Sequence, residues 1–170
     1  AAYSFWLAKG APTGDDTIPG RGYPRLAETA LGFDTARGQS VYVAKCALCH
    51  GADGSGVVSP EAGTLFPPLW GAGSYNWGAG MHAVDTAAAF VKHNMPLGLS
   101  GSLTDQESWD VAAYINSHER PQDPRFTGNL QQTAEEFHGS KFSLYGKAKG
   151  PDGALLGEHP ADSSSPSAGK

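Results

Sequence analysis

The chain has 170 residues with a formal net charge of −5, 39% hydrophobic residues, 23 glycines and 12 prolines. That length suits one domain with long extensions and excludes two full domains, while the acidic balance argues against nucleic acid or an anionic lipid surface as a partner and makes any charge-steered partner locally basic. So much glycine and proline leaves room for a compact helical core with long loops, and no apolar run of about 18 residues is available to span a bilayer as a helix.

The first eight residues are apolar, with Tyr3, Phe5 and Trp6, and suit either a helix end or an irregular anchor. With no initiator Met and no charged apolar leader, a processed N-terminus or a fragment is expected. Residues 9–25 read as a linker, because Gly10, Pro12, Gly14, Pro19, Gly20, Gly22 and Pro24 interrupt any regular element. Asp34 then caps a first helix running from about Thr35 into the cysteine pair. Residues 51–68 hold Gly54, Gly56, Pro60, Gly63, Pro67 and Pro68 and read as a long loop that wraps something other than its own side chains. Asp85 is expected to cap a short helix over residues 86–94, which Pro96 stops. Thr104 and Glu107 form a capping box for a helix whose stripe of Trp109, Ala112, Ala113 and Asn116 ends near His118. Gly38 and Tyr42 on the first helix and Tyr114 on the last suit a close helix crossing. After Arg120 one short helix is expected around residues 131–137, and the polar run 163–170 has no reason to fold alone. The expected division is an N-terminal extension at 1–33, a central domain at 34–120, and a C-terminal extension at 121–170 that wraps the domain, its end flexible.

Only two cysteines are present, Cys46 and Cys49, followed directly by His50. Two thiols three apart on one helical turn suit thioether bonds to the two vinyl groups of a haem, and the next residue brings an imidazole to the iron. A thioredoxin-like pair would sit in a βαβ pattern, and a zinc site would need a second pair of ligands; the sequence shows neither. One covalent haem c is therefore expected, with His50 as its proximal ligand. Its propionates would add to the negative charge. For the sixth iron position Met95 is preferred, because Pro96 ends the preceding helix and lets a loop present the thioether. His82 and His93 are the runners-up, Met81 is read as pocket packing, and His118, His138 and His159 as solvent-facing. The Pro67 carbonyl is the expected acceptor for the free ring N–H of His50, fixing its tautomer. Tyr75 and Trp77 are expected near the propionates, with core packing as the competing reading.

Residues 33–118, with His50 proximal, Met95 distal and the first and last helices crossing, resemble the class I cytochromes c. That resemblance implies an all-α fold of three to five helices around one covalent haem. Tyr75-Asn76-Trp77-Gly78-Ala79-Gly80-Met81, Asn94-Met95-Pro96-Leu97-Gly98, the run from Trp109 to His118 and the run from Arg120 to Phe126 are similar to the second haem domain of dihaem thiosulfate dehydrogenases. The tail from Phe137 to Gly146 fits too. In that family a preceding domain oxidises the substrate at a first haem, and the second haem passes electrons onward. This chain has no first haem motif; Ala1–Ala8 resemble the end of such a domain and Gly20-Arg21-Gly22-Tyr23-Pro24 its connection. The chain is thus either a fragment or a relative without the catalytic half.

The expected function is a soluble, periplasmic monohaem cytochrome moving single electrons between redox proteins. The alternative is the electron-accepting domain or subunit of a thiosulfate dehydrogenase, partnered by a second haem domain. A haem sensor with an open sixth position is a third class.

Overall fold

The computed structural model describes residues 24–161. The readings made for residues 1–8, for most of the linker and for the run 163–170 lie outside the described residues. Helix α1 (Thr35–Lys45) starts where Asp34 accepts from the Arg37 N–H at 2.8 Å, satisfying one of the amide donors that a helix start leaves open. The helix breaks at Cys46 and resumes as the single turn α2 (Ala47–His50).

Residues 51–68 are not a plain loop. Val57–Ser59 (β1) and Gly63–Phe66 (β2) pair antiparallel, with Val57 opposite Phe66 and an irregularity between Val57 and Val58. Val, Thr and Phe favour this pleated geometry, and Gly63 supplies the positive φ of the turn. Such short strands were masked in the sequence by the surrounding prolines and glycines.

Helix α3 (Val84–Asn94) begins earlier than the sequence suggests, and no side chain caps it. Asp85 sits inside the first turn, where its charge suits the helix dipole. The Val84 N–H instead donates to the Phe142 carbonyl at 3.0 Å, a partner 58 positions away and therefore invisible to local reading. Helix α4 (Asp105–Asn116) opens with the complete capping box: the Glu107 N–H donates to Thr104 Oγ1 at 3.2 Å, and the Thr104 N–H to the Glu107 carboxylate at 2.7 Å. Replacing Thr104 with Ala is expected to lower stability by about 1 kcal/mol in urea unfolding, with the ligand set of the site unchanged. Helix α5 (Leu130–Phe137) is capped by Asn129.

Helices α1 and α4 cross closely, and α3 lies along α4. At the crossing a Cβ on Gly38 would stand 2.0 Å from the Asp110 carbonyl oxygen and 2.8 Å from Tyr114 Cβ, so only glycine lets the two backbones meet. Asp110, nearly fully buried, fastens the same crossing: it accepts Nε and Nη2 of Arg37 and the Asp34 N–H, each at 2.8 Å, and Gln106 Nε2 at 3.0 Å. A buried carboxylate stands this many donors better than one.

Three apolar clusters fill the interior. One joins α3 to α4 through Val84, Ala87, Ala88, Trp109, Ala112 and Ala113. The second gathers Tyr42, Val91, Leu103, Val111 and Ile115. The third, Trp77, Ala134, Tyr145 and Leu156, seats the C-terminal segment against the loop before α3. That segment also makes the isolated bridges Ala83–Ser143 and Lys149–Leu155 and returns as far as a bond from the Ala161 N–H to the Arg120 carbonyl.

Candidate functional site

The single-turn helix α2 carries the chemistry-bearing residues of the motif. Cys46 and Cys49 are half-buried and not joined in a disulfide. Before any attachment, burial pushes the Cys46 thiol up to about 11. An exchanging redox pair of the thioredoxin type needs the opposite, an accessible thiol with a lowered pKa.

His50 is buried, and its Nδ1 lies 2.9 Å from the Pro67 carbonyl oxygen. A carbonyl only accepts, so Nδ1 carries the hydrogen and Nε2 keeps its lone pair. The placement comes from the loop on both sides: the Gly56 N–H donates to the His50 carbonyl at 2.8 Å, and the Leu69 N–H to the Gly54 carbonyl at 2.8 Å. Phe66, at the end of β2, meets the His50 ring edge-on with centroids 6.2 Å apart. Trp70 lies so close over Gly54 that a Cβ there would be 2.2 Å from the indole. Tyr42 closes the proximal side, its hydroxyl donating to the Gly51 carbonyl at 2.7 Å.

Met95 follows α3 in extended conformation, and its N–H still completes the helix by donating to Val91 O. Pro96 has no N–H with which to continue the helix. The loop back to α4 is clamped by Lys92, whose Nζ donates to the Leu103 carbonyl at 2.6 Å and pairs with Asp105 at 2.9 Å. Met95 and Cys46 both pack against the cluster of Tyr42, Val91, Leu103, Val111 and Ile115. Around them large apolar side chains face outward, Leu48 at 95% exposure and Leu97 at 77%. Two free thiols, an imidazole nitrogen with an unused lone pair, a thioether and an apolar lining are the donor set and surroundings that a covalent haem requires. The residues present therefore fit that group.

The remaining sequence candidates are placed elsewhere. Tyr75 donates to Asn116 Oδ1 at 3.0 Å. Trp77 is fully buried in the third cluster and donates its indole N–H to Glu119 Oε2 at 3.2 Å. Both donors expected for propionates thus have protein acceptors here, since a buried polar tip must find a partner and the end of α4 supplies one. Met81 packs against the α3–α4 cluster, away from the one that holds Met95.

Two histidines expected to face solvent do not. His118 stacks on Trp70 with centroids 4.1 Å apart, and burial lowers its pKa. His138 is 1% exposed, bonded to Asp123, His82 and Ser143. His82 is occupied by the same network and by the Ala79 carbonyl. His159 is exposed. His93, on the last turn of α3, is half-buried.

Arg120 was missed by sequence reading. Its side chain is fully buried, 4.2 Å above the Tyr75 ring and 4.9 Å from that of Trp77, with Nη2 donating to the Ile115 carbonyl at 2.9 Å. Its Nε has no hydrogen-bond partner among the described residues. The sequence offered only its place just after a helix end and its membership of the run from Arg120 to Phe126, neither of which marks it as buried.

The comparisons with known proteins agree with this geometry. The cytochrome c family profile matches residues 35–119. The chain is similar to the thiosulfate dehydrogenase of Stutzerimonas stutzeri, 54% identical over 92% of this chain and 50% of that protein. It is also similar to that of Thiomonas intermedia, 53% identical over 92% of this chain and 49% of that protein. A solved structure of thiosulfate dehydrogenase (TsdBA) from Marichromatium purpuratum superposes with a TM-score of 0.80 at 62% identity, covering 92% of this chain and 33% of that one. The chain thus spans about half the length of the curated relatives it matches. Its prosthetic group is one haem c, attached through Cys46 and Cys49. With its helical class I fold and its Cys-Ala-Leu-Cys-His motif, the chain belongs to the cytochrome c family.

Proposed function

We propose that this chain is the electron-transferring haem unit of a thiosulfate-oxidising system, receiving electrons one at a time and handing them to another redox protein in the periplasm. The observation that carries the reading is the hold of Pro67 on His50 Nδ1, which leaves Nε2 free, together with Met95 packed in the same apolar cluster as Cys46. When bound, the haem supplies a one-electron Fe(III)/Fe(II) couple. His50 Nε2 and Met95 Sδ would hold its iron. Pro67 fixes the tautomer and orientation of the His50 ring. The α1–α4 crossing, immobilised by Gly38 and Asp110, keeps the surrounding protein from rearranging when the charge of the site changes. Residues 34–120 form the cytochrome domain, preceded and followed by extensions at 1–33 and 121–170.

The similar proteins are named thiosulfate dehydrogenases, which supports thiosulfate as the source of the electrons; in this reading substrate oxidation belongs to a partner haem domain or subunit. Among the described residues no helix is long and apolar enough to cross a membrane. The purified haem-loaded chain is expected to stay ferric on mixing with thiosulfate and to be reduced when a thiosulfate-oxidising haem domain is added, as followed by visible absorption. Sustained turnover of thiosulfate by this chain alone, with an artificial acceptor, would overturn the division of labour.

A further inference from the structure

The C-terminal segment is joined to the start of α3 by two imidazoles, His138 buried and His82 half-buried. His138, the residue that ends α5, places Nε2 2.8 Å from Asp123 Oδ2 and Nδ1 3.1 Å from His82 Nε2. His82 turns its own Nδ1 to the Ala79 carbonyl at 2.7 Å. Asp123 also receives Arg125 through Nε at 2.9 Å, Nη2 at 2.7 Å and the backbone N–H at 2.8 Å. Burial alone would raise that carboxyl, but the bonds from Arg125 and His138 win and hold it at about 2.

Counting hydrogens fixes the rest. An ionised carboxylate and a carbonyl only accept, so His138 Nε2 and His82 Nδ1 both carry hydrogen. What remains is the 3.1 Å gap between His138 Nδ1 and His82 Nε2. If both rings are neutral, two lone pairs face each other there. If both are charged, two N–H groups collide. One proton makes the contact a hydrogen bond.

We infer that His82 and His138 form a one-proton site, the two rings together carrying a single positive charge shared across their contact and clasping residues 120–161 to the start of α3. The competing arrangement keeps both rings neutral. In it the Ser143 hydroxyl, 3.2 Å away, donates to His138 Nδ1, and the facing lone pairs on the two rings are tolerated.

The groups around the pair set what it does with pH. Asp123 is the facing anion; Arg125 and Arg120 are the facing cations. Tyr145 stacks on His138 with centroids 4.2 Å apart, Trp77 meets His82 edge-on at 6.4 Å, and Lys147 Nζ donates to the His138 carbonyl. Burial, and for His138 next the charge of His82, push both rings below the ordinary imidazole range. In a coupled pair this resistance falls on the second proton. The unfolded chain binds two protons here as pH falls through about 6.5, whereas the folded chain binds one. The folded pair thus holds one proton more than the unfolded chain above that pH and one fewer below it, so the stability it contributes is greatest near that pH and declines on either side.

The test uses the full haem-loaded chain in its ferrous state, labelled with 15N-histidine, with imidazole spectra recorded from pH 5 to 9. Expected is a strongly deshielded, slowly exchanging N–H proton coupled to the His138–His82 contact, with His138 Nε2 protonated throughout. An unprotonated His138 Nδ1 with no such resonance at any pH in that range, or both rings fully charged at neutral pH, would overturn the inference. His82→Gln gives a second reading. The amide oxygen accepts the His138 N–H without competing for its proton, so His138 should bind its proton about tenfold more tightly or better. Urea unfolding from pH 6.5 to 5 should then lose less stability in H82Q than in the parent, by a slope of one proton. Equal slopes, together with an unaltered His138 titration, would dismiss the shared site.

Discussion

Met95→Ala is expected to abolish the weak near-infrared band that a thioether–iron bond gives the ferric protein, and to let the ferrous protein bind carbon monoxide rapidly where the parent does not. Met95 is the sulfur donor packed in the cluster that also holds Cys46, while Met81 sits in a different cluster and His82 is spent on Ala79 and His138. Nothing among these takes over the position without moving a helix. The midpoint potential should fall, because a thioether raises the potential of a histidine-ligated haem. Truncating a partly buried methionine also costs about 2 kcal/mol of packing. Met95→Leu separates the two effects, since it keeps the volume and removes the sulfur. A near-infrared band that survives both substitutions would remove Met95 from the role and pass it to Met81, the other thioether of the chain.

The second large effect is structural. Gly38→Ala is expected to destabilise the protein by about 3 kcal/mol, at the upper end for overpacking, because the added Cβ meets backbone and not a side chain that can swing aside. The 2.0 Å approach to the Asp110 carbonyl can be relieved only by separating α1 from α4. That separation stretches the Arg37–Asp110 bonds at the same place. The variant should show a lower urea midpoint and a smaller yield of haem-loaded protein. A midpoint within experimental error of the parent would mean that the crossing is less rigid than its contacts indicate.

How much of this was legible in the sequence depends on where each residue finds its partner. Asp34, Thr104 and Glu107 act on amides three positions away, and their pattern alone located two helix starts. The Cys-Ala-Leu-Cys-His run is equally local, since its meaning lies in one helical turn. The start of α3 was misjudged because its first amide is satisfied by Phe142 and not by a neighbouring Asp. His138 looked like a tail residue because nothing near it announces Asp123 or His82. Arg120 was overlooked for the same reason: its surroundings come from the end of α4, the loop of Tyr75 and Trp77, and the segment that returns over them. Trp77 was read as a donor near the propionates or as core packing; the structure buries it and gives its indole N–H to Glu119, a partner 42 positions away that local reading does not reveal. Local rules located the caps and the attachment motif; the buried polar groups obey distant ones.

The route of the chain after α4 bears on anyone who wishes to excise a minimal electron carrier from this polypeptide. A cut at residue 119, where the recognised profile stops, deletes the acceptor for the Val84 amide and strips Tyr145 and Leu156 from the Trp77 indole. The truncated product would retain Cys46, Cys49, His50 and Met95. It would nonetheless present a raw apolar flank to solvent and tend to self-associate. Trimming should therefore stop no earlier than Ala161, whose amide still reaches back to Arg120.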